Sequence, residues 1–188
     1  TTNERNITFP SATEIENLYL CPCSPELDGI EAELFSKEDR ERKLRQALDR
    51  VRAKFNFVLI DCPPSLGFLT LNALSAADSI LIPVQTEFFC MEGIPSLFRT
   101  LNEVRTYFNP TLKIEGILLT MYDERTNLSR QVAEEVRKSL MSVLFTTIIP
   151  RSVRLAEAPS FGKPIVLYDI KSRGADAYLN LAQELLAK

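Results

Sequence analysis

No histidine occurs among the 188 residues. That absence removes Ser-His-Asp and Cys-His catalysis, and every histidine-ligated metal site, in one step. Cysteine is scarce, at Cys21, Cys23, Cys62 and Cys90. Cys21-Pro22-Cys23 lacks C-x-x-C spacing and the other two lie far apart, which argues against zinc or redox chemistry and for buried, reduced thiols. Long apolar runs are missing too: stretches such as Ile80-Leu81-Ile82-Pro83-Val84 fall far short of a bilayer span. Nor does the chain open on a charged and then apolar leader, so a cytoplasmic address is expected. Only six glycines occur, and none builds the G-x-x-x-x-G-K-[ST] loop whose backbone amides and lysine surround phosphate oxygens. Gly162-Lys163 is the only Gly-Lys pair; Pro164 follows it, and Glu157 stands where the first glycine belongs.

What is present indicates an ordinary globular protein. Hydrophobic residues make up 45% of the chain and the net charge is −3, so overall electrostatics do not advertise nucleic-acid binding. The charge is uneven, however. From Tyr122 onward ten Lys or Arg face eight Asp or Glu, leaving room for a local basic patch. The length suits one well-cored domain, read here as residues 1–188.

Along the chain, residues 1–16 read as a loop and 17–22 as a short strand. Residues 24–35 have helix-start chemistry, and 37–54 form an amphipathic helix with Leu44, Ala47, Leu48 and Val51 on one face. Residues 55–60 are an apolar, β-branched run ending in Asp61, the signature of a buried parallel strand. Helices are expected at 67–77, 92–107, 128–140 and 174–188, with strands at 78–84, 112–122, 145–150 and 164–168. Strand and helix alternate, which predicts an α/β fold: a doubly wound, mostly parallel sheet with helices on both faces.

Three loops then follow strand carboxyl ends, at 61–67, 121–127 and 150–162, where ligands bind in open α/β sheets. Asp61 reads either as a carboxylate serving the magnesium of a nucleotide or as a solvated strand-end residue. Arg125 and Arg154 read either as phosphate-neutralising residues or as scattered solvated arginines.

The ordered series Phe57-Val58-Leu59-Ile60-Asp61-Cys62-Pro63-Pro64-Ser65-Leu66-Gly67, Ile82-Pro83-Val84-Gln85, Leu118-Leu119-Thr120-Met121-Tyr122-Asp123, Arg125-Thr126-Asn127, Ile149-Pro150-Arg151-Ser152-Val153-Arg154-Leu155 and Glu157-Ala158-Pro159-Ser160-Phe161-Gly162-Lys163-Pro164 resembles the ParA/Soj chromosome- and plasmid-partition ATPases. The resemblance runs from Asn17 to the carboxyl terminus. It implies a nucleotide-binding fold of the phosphate-loop class, whose first βα unit is expected upstream of Thr1. It also implies that Asp61 positions magnesium through water, and that Gly67 closes a switch where a backbone amide approaches the γ-phosphate of ATP. Met121, Pro150, Arg151, Ser152 and Val153 match the adenine pocket, with Ser152 standing where many relatives have asparagine. Arg125 and Arg154 match arginines that hold DNA without regard to sequence.

The implied partners are a second copy, a ParB-like protein and nucleoid DNA. The membrane-associated MinD branch calls for a basic, aromatic amphipathic tail after the last helix; the sequence closes on Ala187-Lys188 without one, so no membrane is expected. Without phosphate-loop lysines, this chain is expected neither to bind ATP tightly nor to hydrolyse it. The alternative is a stand-alone, non-catalytic module that binds protein or DNA.

Overall fold

The computed structural model describes residues 10–23, 27, 29–88 and 90–187. They fall into two compact units, Thr1–Ala77 and Asp78–Lys188.

The first unit opens with a small antiparallel pair, β1 (Ser11–Ala12) and β2 (Tyr19–Leu20). The Thr13 hydroxyl donates to the Leu18 carbonyl (3.0 Å) and accepts from the Ile15 N–H (3.1 Å), and Asn17 takes the left-handed backbone (φ 62°) that asparagine tolerates. Residues 10–16 are therefore partly a hairpin rather than a loop; residues 1–9 lie outside the described residues. The helix expected at 24–35 is shorter, α1 (Ile30–Leu34), and residues 24–26 and 28 again lie outside the described residues.

The helix expected at 37–54 is broken into a 3-10 turn (Arg40–Arg42), α2 (Lys43–Leu48) and a second 3-10 turn (Arg52–Lys54). The cause is tertiary. Buried Asn72 of α3 (Phe68–Ala76) donates to the Arg40 carbonyl (3.1 Å) and accepts the Leu44 N–H (3.3 Å), taking backbone groups that a continuous helix would use internally. Asp39, at φ 53°, also cannot lie within a right-handed helix.

The strand expected at 55–60 is not formed. Among the described residues none pairs with it, and Phe57, Val58 and Leu59 are 67%, 44% and 93% exposed. Apolar, β-branched composition favours a pleated, half-buried surface but supplies no ladder; without a neighbour the run stays an open segment. Cys21, Cys23 and Cys62 are likewise exposed rather than buried, because they lie in the coil segments between packed elements.

The second unit carries a parallel sheet, ordered β3 (Ser79–Gln85), β4 (Lys113–Tyr122), β5 (Leu144–Pro150). Ile82 faces Ile117 and Val84 faces Leu119 across the first pair. Helices α4 (Cys90–Tyr107) and α5 (Asn127–Leu140) make the two crossovers, as the alternation predicts. In the central strand Gly116, Ile117, Leu118 and Leu119 are all buried, which explains why β4 reads as a continuous apolar run. Leu118 packs with Phe145, Ile149, Ala177 and Leu181, so the closing helix α8 (Arg173–Leu186) lies against that face. Glycine is required at 116: a Cβ there would stand 2.4 Å from the buried Phe145 ring.

Between β4 and β5 the register slips. Ile117 faces Leu144 but Leu119 faces Ile148, so β5 is irregular between Leu144 and Ile148. The Glu184 carboxylate of α8 accepts both amides, from Thr146 at 2.6 Å and Thr147 at 2.9 Å. Burial pushes the Glu184 carboxyl up, but the two amide bonds outweigh it and hold it below the ordinary value.

Past β5 come α6 (Val153–Glu157), a 3-10 turn (Ala158–Phe161) and α7 (Ile165–Tyr168). A strand is expected where α7 forms. Pro164 instead starts a helical turn with φ −66°, its carbonyl accepting from the N–H groups of Leu167 (2.9 Å) and Tyr168 (3.0 Å), while buried Ile165 packs on Ala158 and Ala175. Gly162 ends the preceding turn in the left-handed conformation (φ 62°), so the Gly-Lys pair is a helix stop.

Candidate functional site

Two of the three expected loops meet in the second unit, at the carboxyl ends of β4 and β5. The Arg151 N–H donates to the carbonyl of Tyr122, the last residue of β4, at 2.8 Å, tying the start of the loop after β5 to the end of β4. A groove of about 840 Å³ opens beside this junction, lined by Tyr122, Asp123, Arg125, Ile148, Arg151 and Arg173 among others.

Met121, the penultimate residue of β4, has φ 55°, a left-handed conformation unusual for a long side chain. A buried polar pair over-determines that backbone. The Thr86 N–H donates to the Thr120 carbonyl (3.1 Å), and the Thr86 hydroxyl lies 3.3 Å from the Met121 carbonyl and 2.8 Å from the Ser129 hydroxyl. Thr86 is 2% exposed and Ser129 5%. Ser129 also accepts the Asp123 N–H (3.3 Å), and Thr126 caps α5 by accepting the Ser129 N–H (3.3 Å) while its hydroxyl donates to the Asp123 carbonyl (3.1 Å).

On this turn Arg125 closes back upon Asp123. Its Nε donates to Oδ1 at 2.9 Å, its Nη2 to Oδ2 at 2.7 Å, and its own N–H to Oδ1 at 3.1 Å. The fork and the amide hold the Asp123 carboxyl down at about 2 and push the Arg125 guanidinium up in turn. The acid is sheltered, with 15% of its side chain exposed, whereas 84% of Arg125 faces solvent. Arg154 is also paired, with Glu157 at 3.1 Å and Asp169 at 3.5 Å, and the Tyr168 hydroxyl donates to the same Glu157 oxygen at 3.2 Å. Arg173 reaches Glu124 at 3.5 Å.

Of the expected base-pocket residues, Pro150 closes β5, Arg151 is exposed, and Ser152 precedes α6 without a side-chain cap bond. Met121 and Val153, which would pass for core residues by type, are 38% and 72% exposed. A strained turn places the one and a first helical position the other, which type alone does not reveal.

Asp61 and Gly67 belong to the first unit. Asp61 is exposed in the open segment before Pro63-Pro64. The sulfur of the neighbouring Cys62 turns back to the Ile60 carbonyl (3.8 Å). Desolvation there, and then the Asp61 charge, push the thiol up, away from the thiolate form. Gly67 caps α3 with an ordinary φ of −83°, and a Cβ there would meet only the Ser65 Oγ, at 3.7 Å, among the described residues. Backbone and packing thus leave room for a side chain at 67. Among the described residues no group of three or more His, Cys, Asp or Glu is placed to hold a metal ion. A single exposed carboxylate such as Asp61 nonetheless fits magnesium, which keeps several waters and takes one or two carboxylates beside substrate phosphates. Sequence alone does not announce the hydroxyl pair at Thr86 and Ser129 or the Glu184 clamp; only Thr126, a good cap residue at a helix start, hints at the first.

A parallel sheet with crossover helices and polar loops at its carboxyl edge defines an α/β fold of the kind that phosphate-loop nucleotide-binding proteins share. Known proteins agree. Residues 2–114 match the family described as an AAA domain. The chain is 52% identical over 176 residues to the chromosome partitioning protein ParA of Myxococcus xanthus, covering 94% of this chain and 62% of that one. It is 52% identical over 181 residues to the sporulation initiation inhibitor protein Soj of Bacillus subtilis, covering 96% and 72%. It superposes on cobyrinic acid a,c-diamide synthase from Mycobacterium smegmatis with bound ADP and magnesium at 37% identity and a TM-score of 0.76, covering 90% and 62%. The chain belongs to the ParA/Soj family of partitioning ATPases. It spans 62% of the length of the Myxococcus relative and 72% of that of the Bacillus one. Among the described residues no helix is long and apolar enough to cross a membrane.

Proposed function

We propose that this chain serves chromosome or plasmid segregation as the base-pocket and DNA-binding portion of an ATP-switched partition protein. The observation that supports the reading is the shared carboxyl edge of β4 and β5, where parallel pairing and the 2.8 Å Arg151-to-Tyr122 bond bring the expected base-pocket residues and the Arg125 turn together.

In this reading Met121, Pro150, Arg151, Ser152 and Val153 hold adenine through backbone groups and apolar faces; the exposure of Met121 and Val153 supports it. Asp61 would hold magnesium through water, which supplies charge neutralisation at the phosphates. Gly67 admits a phosphate close to the backbone, consistent with a Cβ there meeting only the Ser65 Oγ, at 3.7 Å, among the described residues. Arg125 and Arg154 neutralise DNA phosphates. Two arginines make a weak grip alone, and pairing with a second copy doubles the patch and raises avidity. A ParB-like protein is the expected partner, and the nucleoid the expected location.

The test is a fluorescence anisotropy titration of the 188-residue chain with two duplexes of unrelated sequence. Equal affinities are expected, with log K falling linearly in log salt. Strong preference for one duplex, or affinity indifferent to salt, contradicts the reading.

A further inference from the structure

We propose that Asp123 is a resident counter-ion that holds Arg125 in reserve and competes with DNA phosphate for it, so that Asp123 sets how strongly this face takes up a duplex. The inference rests on the DNA-binding reading above and adds to it a residue that regulates the grip without touching the DNA.

The geometry argues for competition. A guanidinium fork matches carboxylate and phosphate in the same bidentate manner, and the side-on fork of Arg125, Nε with Nη2, is taken by Asp123 at 2.9 and 2.7 Å, leaving only its end-on donors without that partner. The acid is the fixed member of the pair. Its N–H is held by the buried Ser129 hydroxyl and its carbonyl by Thr126, whereas Arg125 is 84% exposed and can swing away. Exchange therefore proceeds by the arginine leaving a stationary carboxylate for a phosphate. The carboxyl, held at about 2, stays ionised at any ordinary pH, so the competition is between anions and needs no protonation step. Arg154 repeats the arrangement against Glu157 and Asp169. Both arginines assigned to DNA are thus engaged internally.

The experiment measures anisotropy of a labelled short duplex with the 188-residue chain at low salt, for Asp123→Asn, Arg125→Ala, the double variant and Glu134→Gln. Glu134, exposed on α5, changes net charge equally and has no part in the pair. Asp123→Asn is expected to bind DNA about two- to fivefold tighter than Glu134→Gln, the size of an exposed ion pair. That gain is expected to vanish in the Arg125→Ala background, which a general charge effect or a change in folding would not do. Should the asparagine variant unfold by circular dichroism, Asp123→Ser, which keeps an acceptor for the Arg125 N–H, is expected to give the same gain. Weaker binding, a gain no larger than that of Glu134→Gln, or a gain that persists without Arg125 overturns the proposal. If Arg125→Ala binds as well as the unaltered chain, the DNA-binding reading itself fails.

Discussion

Replacing Arg125 and Arg154 together by alanine is expected to weaken duplex binding on the order of a hundredfold, about tenfold for each arginine removed. Arg125 lies on the turn after β4 and Arg154 in α6, which follows β5, and each is exposed beyond half its surface. Because their role is phosphate neutralisation, the loss should be the same for every duplex sequence. The slope of log K against log salt should become shallower by about one for each arginine. Far-UV circular dichroism should be unchanged, since exposed ion pairs contribute little to stability. Anisotropy over a series of salt concentrations measures affinity and slope together. A double variant that loses affinity but keeps its salt slope would show that the arginines act on folding and not on phosphate.

Leu119→Ala should have the largest effect on stability, a loss of about 2–5 kcal/mol. Leu119 is fully buried in the central strand, facing Val84 on one neighbour and Ile148 on the other. Truncation leaves a cavity that two flanking strands, each fixed by its own ladder, cannot close. The site should suffer as well, because Leu119 stands two residues before the left-handed turn at Met121. Urea unfolding followed by circular dichroism measures the shift. A change below about 0.5 kcal/mol, the range of ordinary surface substitutions, would mean that β4 is not the centre of this core.

The second unit is largely legible in the sequence. Its central strand is a continuous apolar run because both faces of β4 are covered, and its outer helices carry 3.6-residue stripes. The meeting of the loops after β4 and β5 follows from parallel topology alone. The first unit is less legible, since its outcomes depend on partners distant in sequence. The helix expected at 37–54 gives way where Asn72, 28 residues beyond Leu44, captures its backbone. The run before Asp61 has strand composition but no ladder partner among the described residues. The exception in the second unit is 164–168, where the apolar residues fit a strand or a helical turn equally, and Pro164 together with the buried seat for Ile165 selects the turn. Within the site, residue types point to Arg125 but not to its tie with Asp123. An i,i+2 pair closes only on a tight turn, and this turn is made by the strained Met121 and the buried hydroxyls of Thr86 and Ser129.

A chain with a proposed magnesium carboxylate and base pocket, but no phosphate loop within its 188 residues, should not turn over ATP. Magnesium-dependent phosphate release from ATP by the purified chain, measured beside Asp61→Ala, tests this most directly. No release above that of the variant is expected; release that depends on magnesium and disappears in Asp61→Ala would contradict it.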